Sequence, residues 1–402
     1  MIVKFNKGLI IFMIICTLGV ITVFCLNNQV QYDELGDKIV MATYIPVFGR
    51  SGNWHNWEYL KAWEYGGEDS RPDSILENGR RQIASVYYPK IGAYDSTDSD
   101  VLEYHLDLVK AMGIDVLQIN YYADLNKDYL KTTETLIKFA EKKNIKISFL
   151  YEPKIHMFNW ISHNSREERI LAIAQDIVNI FERYGSSKAL FKYRDKTVIS
   201  IFGADWIGLE NSEWTQIRNY VREKGYDPLY IGDNASDSVL KTCEVFTGMF
   251  HWELFQEKVA SANEQEAYDF CRSINKYPLQ WRTYAEERVS VGIVFPGFND
   301  SRVWGWDLGR QRVIKLDWKV FFEQSAKVIL DQKDQFDLVL IATFNDWNES
   351  THIEPDMENG YERAIMTQNF IESFKGIKPL EDDAMQKITE KYLSKKNVKK
   401  YN

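Results

Sequence analysis

Cysteines are few in this sequence, and the common metal and nucleotide motifs do not occur. Of the four cysteines, Cys16 and Cys25 lie in an apolar N-terminal segment, which leaves Cys243 and Cys271 in the remainder of the chain. These two can form one disulfide in an oxidising compartment or remain as two buried thiols. CxxC, HExxH, GxGxxG and P-loop patterns are absent, so we expect no metal site and no cofactor.

Positive charge is also scarce. The 402 residues include 49 lysines and arginines against 58 aspartates and glutamates, for a formal charge of -9. Nucleic-acid binding depends on clustered basic side chains, so we expect no nucleic-acid partner. Aromatic residues are abundant instead, and the 12 tryptophans and 23 tyrosines exceed what packing alone usually recruits.

A long uncharged run lies near the N-terminus. Lys4 and Lys7 precede the mostly apolar segment from Leu9 to Leu26, and a helix of that length spans about 27 Å, close to the thickness of a hydrocarbon core. The lysines predict that the short N-terminal end stays in the cytoplasm and that the rest is extracytoplasmic. A cleaved signal peptide, giving a secreted protein, is the alternative, although no small-x-small cleavage site follows the run.

Beyond residue 37, short apolar segments alternate with amphipathic ones. The predicted strands are Val40–Phe48, Ile114–Tyr122, Ile145–Tyr151, Thr197–Phe202, Leu229–Gly232, Phe246–Trp252, Val289–Phe295 and Leu338–Phe344. The predicted helices are Val101–Met112, Tyr129–Lys142, Glu167–Tyr184, Trp214–Lys224, Glu264–Asn275 and Arg310–Leu330. This alternation predicts a parallel sheet closed into a (β/α)8 TIM barrel, with an open doubly wound sheet as the competing topology.

The same pattern predicts the domain organisation. We expect an N-terminal signal anchor and linker over residues 1–37, and one barrel domain over residues 38–378 with a long insertion after the first strand. A C-terminal helix and basic tail would occupy residues 379–402.

Polar and aromatic side chains collect at the carboxyl ends of the predicted strands. They are Tyr88 in the first insertion, Tyr121 at the end of the second strand, Glu152 after the third, Trp252 at the end of the sixth, and Asp300 and Arg302 after the seventh. In a barrel all these ends share one rim, so the residues would converge on one cleft.

The segment after the last strand contains the strongest candidates for catalytic residues. Asp346 and Glu349 lie three residues apart, beside Asn345 and Trp347. Carboxylates exchange protons with glycosidic and hydroxyl oxygens, rings stack on pyranose faces, and amides hold hydroxyls, so the mixture favours sugar chemistry. The alternative is a loop whose Asp and Glu merely cap the next helix.

Five segments resemble a known family in the same order along the chain. They are Ile83–Asp98, Ser148–Pro153, Tyr184–Phe191, Phe295–Trp304 and Phe344–Pro355. Together they resemble glycoside hydrolase family 99, the endo-acting α-mannosidases and α-mannanases. The resemblance runs from about residue 40 to residue 375 and implies an endo-acting hydrolase for an α-linked, mannose-containing glycan.

The resemblance also implies roles for the two carboxylates. Glu349 would protonate the leaving oxygen and later activate water, while Asp346 would draw the proton from the sugar's 2-hydroxyl so that this oxygen attacks its own anomeric carbon. Two neighbouring carboxylates resist double ionisation, so one pKa rises toward the working pH, as an acid catalyst requires.

The remaining candidates each have a structural alternative. Glu152 would bind a sugar hydroxyl or only form a rim salt bridge, and Asp300 and Arg302 would bind hydroxyls or only pair with each other. The predicted stacking platforms, Tyr88, Tyr121 and Trp252, could instead fill the barrel mouth. Asn345 and Trp347 complete the predicted substrate-binding set.

The sequence departs from the family pattern in the segment from Thr43 to Phe48, which is a poor match, and at one of the two acids. Asp346 stands where family 99 carries glutamate, so we expect its carboxylate about 1.5 Å further back unless the backbone compensates. The stretch from Asp346 to Ser350 also resembles family 71, the α-1,3-glucanases, in which the same carboxylates would act by direct displacement. A barrel that binds glycan or serves polysaccharide assembly without hydrolysis is a further alternative. We expect a monomer whose partners are an oligo- or polysaccharide substrate and, through the N-terminal segment, the membrane.

Overall fold

The computed structural model describes residues 38–49, 57–60, 68–123, 127–158, 161–233, 244–252, 263–303, 312–377 and 383–401, the last range without the side chains of 397–401. The predicted N-terminal anchor and Cys243 lie outside these ranges. Within them, no helix combines the length and the apolar character that a membrane crossing requires. Anchoring therefore stays a prediction.

The described residues form nine strands, and all of them except β4 run parallel and close into an eight-stranded barrel, as predicted. In chain order the strands are β1 (Ile39–Tyr44), β2 (Val116–Tyr121), β3 (Lys146–Tyr151), β4 (Lys192–Tyr193), β5 (Lys196–Ile201), β6 (Leu229–Asp233), β7 (Phe246–Phe250), β8 (Val289–Val294) and β9 (Leu338–Ile341). The first strand pairs in parallel with both β2 and β9, which closes the ring, while short β4 pairs antiparallel with β5 outside it. This closure rules out the open doubly wound sheet.

Helices surround the barrel and connect its strands. They are α1 (Ser99–Met112), α2 (Lys127–Lys143), α3 (Lys154–Met157), α4 (Arg166–Tyr184), α5 (Asn211–Glu223), α6 (Glu264–Arg282), α7 (Trp318–Asp331), α8 (Glu362–Lys375) and α9 (Ala384–Tyr401). In the described part of the insertion between β1 and α1, Trp57 is fully buried and its indole nitrogen donates to the Tyr94 carbonyl at 2.7 Å.

The strands alternate between a polar interior and an apolar outer face. Inside the barrel, the Thr43 hydroxyl donates to the Gln118 side-chain oxygen at 3.2 Å, and the Gln118 amide donates to the Ser200 hydroxyl at 2.8 Å. Because successive side chains of a strand point to opposite faces, Ile119 and Tyr121 face the helices and belong to the hydrophobic layer.

Two helix boundaries differ from the prediction by more than three residues. The helix expected over Arg310–Leu330 begins only at Trp318, because the Asp317 carboxylate caps it by accepting from the Lys319 amide at 2.9 Å. The helix expected to end at Asn275 continues through Pro278 to Arg282. Its last turn buries Trp281, whose indole nitrogen donates to the Thr247 carbonyl at 3.2 Å, so tertiary packing extends it.

Candidate active site

Asp346 and Glu349 lie in the loop that leaves β9 at the carboxyl end of the barrel. The Asp346 amide donates to the Thr343 hydroxyl at 2.7 Å, and the Glu349 amide donates to the Asp346 carboxylate at 3.2 Å. Asp346 is 8% exposed, and the Glu349 side chain is 13% exposed. The loop therefore holds both acids at the barrel mouth, largely shielded from water.

Burial sets the proton affinities of the pair. It raises the pKa of Asp346 to about 6, with a further increase from Glu152 and opposing contributions from the Glu349 and Asn348 amides and from Arg312. Burial also raises the pKa of Glu349 well above its usual range, and the Asp346 charge adds to the increase. Near neutral pH this combination favours an ionised Asp346 beside a protonated Glu349.

Arg312 is a member of the site that the sequence did not reveal. Its guanidinium Nε lies 2.5 Å from the Asp300 carboxylate, and its Nη2 lies 3.6 Å from the Glu349 carboxylate. The Arg312 amide also donates to Asp300 at 2.7 Å. The sequence assigned Arg312 to a helix interior, and the useful signal was Asp317, a typical helix cap that places Arg312 in the preceding loop.

Asp300 and Arg302 form ion pairs with different partners. Asp300 is fully buried and holds Arg312 beside Glu349. Arg302 points elsewhere and pairs with Glu68 at 2.8 Å, with 42% of its side chain exposed. The alternative that Asp300 and Arg302 only pair with each other is therefore wrong.

Glu152 joins the site from the third strand. It is 4% exposed, forms an ion pair with Lys154, and adds to the raised pKa of Asp346. Glu152 also accepts a hydrogen bond from Tyr122, which contributes to raising the pKa of that phenol, after burial as the main cause. A carboxylate, an ammonium and a phenol thus lie together on the β2 and β3 side of the mouth.

Tyr122, which directly follows β2, faces this cluster, and Tyr121, the last residue of β2, does not. The Tyr121 ring lies in the outer layer, with its centroid 5.3 Å from Phe149 and 6.0 Å from Tyr129. The Tyr122 hydroxyl accepts from the Asn120 amide at 2.7 Å. Strand alternation was the missed signal, since Tyr122 shares its phase with Gln118 and Asn120.

Asn345 and Trp347 are sealed inside the protein. Asn345 accepts from the Ile45 amide at 2.7 Å, while its own amide donates to the Ile45 carbonyl at 3.0 Å and to the Tyr94 hydroxyl at 3.1 Å. The Trp347 indole donates to the Tyr94 hydroxyl at 3.1 Å, and both side chains are fully buried. Neither is open to a ligand, so both support the loop that carries the acids.

A buried carboxylate beneath the loop was also missed. Glu354 accepts from the Tyr94 hydroxyl at 3.0 Å and from the Trp347 indole at 3.2 Å, and its other oxygen lies 3.1 Å from the His105 Nε2 atom. The His105 Nδ1 atom lies 3.0 Å from the Tyr44 hydroxyl. This network ties the loop to β1 and α1 and fixes its position.

The remaining predicted platforms are Tyr88 and Trp252. Tyr88 packs under the Arg80 guanidinium, 5.2 Å from the ring centroid, and its hydroxyl accepts from the Arg81 amide at 3.1 Å. Half-buried Trp252 lies edge-on to Phe202 and Phe295 at the β7 side of the rim. It remains placed for contact with a ligand at the mouth.

A cavity of about 170 Å³ adjoins the acid loop. Its lining includes Tyr87, Phe298, Trp318, Ser350 and Arg363. Tyr87 therefore reaches this space, whereas its neighbour Tyr88 does not line it. Across the described ranges, no group of three or more His, Cys, Asp or Glu side chains is arranged to hold a metal ion.

Comparison with known proteins assigns the family. The sequence profile of glycosyl hydrolase family 99 matches residues 38–397. The chain belongs to this family. It is therefore a glycoside hydrolase, and the resemblance first seen in five segments extends over the whole described body.

Named relatives of this family 99 enzyme are distant in sequence. Glycoprotein endo-alpha-1,2-mannosidase of Mus musculus is 25% identical over 361 residues, which cover 81% of this chain and 70% of the mouse protein. The Xenopus laevis protein of the same name is 22% identical over 323 residues, covering 75% of this chain and 66% of that protein.

A solved structure shares the fold. The GH99 endo-alpha-mannosidase from Bacteroides thetaiotaomicron superimposes with a TM-score of 0.61 at 20% identity, covering 84% of this chain and 97% of the bacterial chain. At that identity the likeness establishes the fold of the family 99 enzyme and not its substrate.

Proposed function

We propose that this chain is an endo-acting hydrolase that cleaves an α-linked, mannose-containing glycan, with Glu349 as acid and base and Asp346 as the partner base. The observation that carries the proposal is the shielded pair of carboxyls at the barrel mouth. Their raised pKa values favour one proton on the pair near neutral pH, held by Glu349 and not by Asp346. Relatives named endo-alpha-1,2-mannosidase support the mannose assignment.

In the first proposed step, Asp346 takes the proton of the sugar's 2-hydroxyl, and the resulting oxygen attacks the anomeric carbon of the same ring. The glycosidic bond breaks as Glu349 gives its proton to the leaving oxygen. In the second step, Glu349 takes a proton from water, which attacks the anomeric carbon. The internal bond breaks and Asp346 returns its proton to the 2-oxygen, so the configuration is retained.

Neighbouring groups have distinct proposed tasks. Arg312, held by Asp300, lowers the pKa of both acids and restrains the Glu349 side chain. Glu152, Lys154 and Tyr122 are suited to hold sugar hydroxyls, because they combine acceptors and donors at the mouth. Trp252 is suited to stack on a ring.

The substrate assignment is tested by incubating the purified protein with a panel of α-mannans and α-glucans and analysing the released oligosaccharides. We expect internal cleavage of an α-mannan. Release from α-1,3-glucan alone would instead favour the family 71 type of activity. Binding without any released product would favour a glycan-binding barrel.

The assignment of the acid is tested with Glu349→Gln. We expect kcat to fall by about 10³-fold, because a general acid typically contributes 10²–10⁴-fold, while calorimetry still detects glycan binding. The matched control is Glu323→Gln on the exposed face of α7, which should leave kcat unchanged. An unchanged rate in Glu349→Gln would remove Glu349 from the mechanism.

A further inference from the structure

Two large aromatic side chains stand exposed on the rim that carries the acids. Phe158 is 51% exposed and Trp206 is 46% exposed. Their rings stack with centroids 6.0 Å apart and planes inclined by 30°. Phe158 follows α3 after β3, and Trp206 follows β5, the strand that pairs with β3. Both rings therefore project from the carboxyl end of the barrel.

Although Trp206 is exposed on one side, buried groups on its other side fix its position. Gly203 has φ +69° and packs directly under the indole, where a Cβ atom would come within 2.5 Å of the ring. Asp233, 2% exposed, accepts a hydrogen bond from the Trp206 side chain as well as from the Gly203 amide at 3.2 Å and the Trp252 amide at 2.9 Å. One buried carboxyl thus orients both tryptophan segments.

A chain of contacts connects these rings to the acids. Trp206 and Trp252 each lie edge-on to Phe202, at centroid distances of 5.8 Å and 5.7 Å. The Lys154 ammonium lies 5.4 Å from the Phe202 ring centroid and pairs with Glu152. Glu152 in turn affects the pKa of Asp346. The exposed rings are continuous with the mouth along the β3 and β5 side.

We propose that Phe158 and Trp206 form a second sugar-stacking platform, which holds a pyranose ring of the same glycan at a distance from the bond that is cleaved. The proposal rests on the glycan-cleaving function proposed above. Flat aromatic faces match the apolar face of a pyranose. The contacts through Phe202 to Lys154 place the platform beside the mouth, so one glycan chain can reach both. Two rings are too small for a stable protein interface, which buries about 800 Å² per partner.

The platform makes glycan length a determinant of activity. A short oligosaccharide that fills only the mouth does not reach Phe158 and Trp206, whereas a longer chain gains the extra stacking. Stacking of this kind contributes about tenfold in affinity. Cleavage efficiency should therefore rise with chain length in the native protein.

The test measures kcat/KM of the full chain on α-linked manno-oligosaccharides of increasing length and on polymeric α-mannan. We expect the double variant Phe158→Ala/Trp206→Ala to lose about tenfold on the polymer and little on the shortest cleaved oligosaccharide. The matched control is Tyr284→Ala, because Tyr284 is also 48% exposed but lies before β8 at the opposite end of the barrel. Equal losses at every length, or no loss on the polymer, would overturn the proposal.

The platform is tested separately from the proposed function by binding. Affinity electrophoresis in gels containing α-mannan should retard the native protein and the Tyr284→Ala control more than the double variant, whether or not any product is released. Equal retardation of all three proteins would refute the platform even if the enzyme cleaves mannan. A change in oligomeric state of the double variant, with unchanged length dependence, would assign the rings to a contact between copies.

Discussion

At the scale of single residues, Asp346 is the position at which the family 99 resemblance predicts a glutamate. We expect Asp346→Glu to retain or increase kcat, because the longer side chain restores the reach that family 99 relatives use. Asp346→Asn is the comparison, and it should lose activity by about 10²-fold or more because the base is removed. Both are measured as initial rates on the preferred α-mannan. A loss in Asp346→Glu as large as that in Asp346→Asn would show that the loop backbone already compensates for the missing methylene.

We expect Arg312 to set the pH range of activity. In the proposed mechanism, activity requires ionised Asp346 and protonated Glu349. We therefore expect the rate to fall at low pH as Asp346, with a pKa of about 6, gains its proton, and at high pH as Glu349 loses its own. Because the guanidinium lowers both pKa values, Arg312→Gln should move both limbs of the pH–rate profile to higher pH. Arg312→Lys should move them less.

Stability provides the control for that variant. Asp300 is fully buried and loses a close cation in Arg312→Gln, which should lower the free energy of unfolding by about 3 kcal/mol. The double variant Asp300→Asn/Arg312→Gln should recover much of this loss in urea unfolding. Unshifted pH limbs in a folded Arg312→Gln protein would contradict the electrostatic role.

Part of the site could be read from single residues and part could not. The spacing of Asp346 and Glu349 after an apolar strand was sufficient to nominate them, and the structure places both at the mouth. Tyr121 and Tyr122 are adjacent aromatic residues, and only the strand phase, shown by Gln118 inside the barrel, separates them. Asn345 and Trp347 carry the right chemistry, yet the Tyr94 and Ile45 partners that bury them are distant in sequence.

At the scale of elements, the close approach of α7 to β8 depends on Gly292. A Cβ atom at this position would come within 2.7 Å of the Ile329 side chain and 3.0 Å of Phe336. Gly292→Val should therefore push α7 away from the sheet and lower the free energy of unfolding by about 1–3 kcal/mol. Urea unfolding monitored by tryptophan fluorescence measures the change.

A compensating change tests the cause of that loss. Ile329→Ala removes the atom that the new side chain would meet first, so the double variant Gly292→Val/Ile329→Ala should be less destabilised than the sum of the single changes. Additive losses would indicate that the strand itself, and not the contact with α7, is disturbed.

Elements were easier to predict than their ends. All eight barrel strands lie where apolar runs indicated them, since burial on both faces gives a parallel strand a nearly continuous apolar sequence. The start of α7 depends on one side-chain hydrogen bond from Asp317, and the end of α6 depends on the burial of Trp281. Neither contact leaves a periodic signal in the sequence.

At the scale of the whole molecule, buried carboxyls make stability depend on pH. Burial raises the pKa of Asp233 to about 8, far above its value in an unfolded chain. Between about pH 4 and pH 8 the unfolded state binds fewer protons at this position than the folded state, so the contribution of Asp233 to the free energy of unfolding falls as pH rises. The same sign holds for Asp346 and Glu349.

The Asp233→Asn variant isolates this contribution. The difference in unfolding free energy between the native protein and Asp233→Asn should change by about 2 kcal/mol between pH 5 and pH 7, with the native protein losing more. Denaturant titrations at both pH values measure it. A difference that does not change with pH would mean that Asp233 ionises as freely in the folded state as in the unfolded one.

The sequence by itself determined the barrel and the family and nominated the two candidate acids, because strand periodicity, burial and short motifs are local properties of the chain. The tertiary structure decided which neighbours meet those acids. Arg312, Lys154 and Tyr122 converge on them, and Glu354 supports their loop from below. The physical reason is that barrel closure brings distant segments onto one rim, where charge pairing and burial depend on distances that no local pattern encodes.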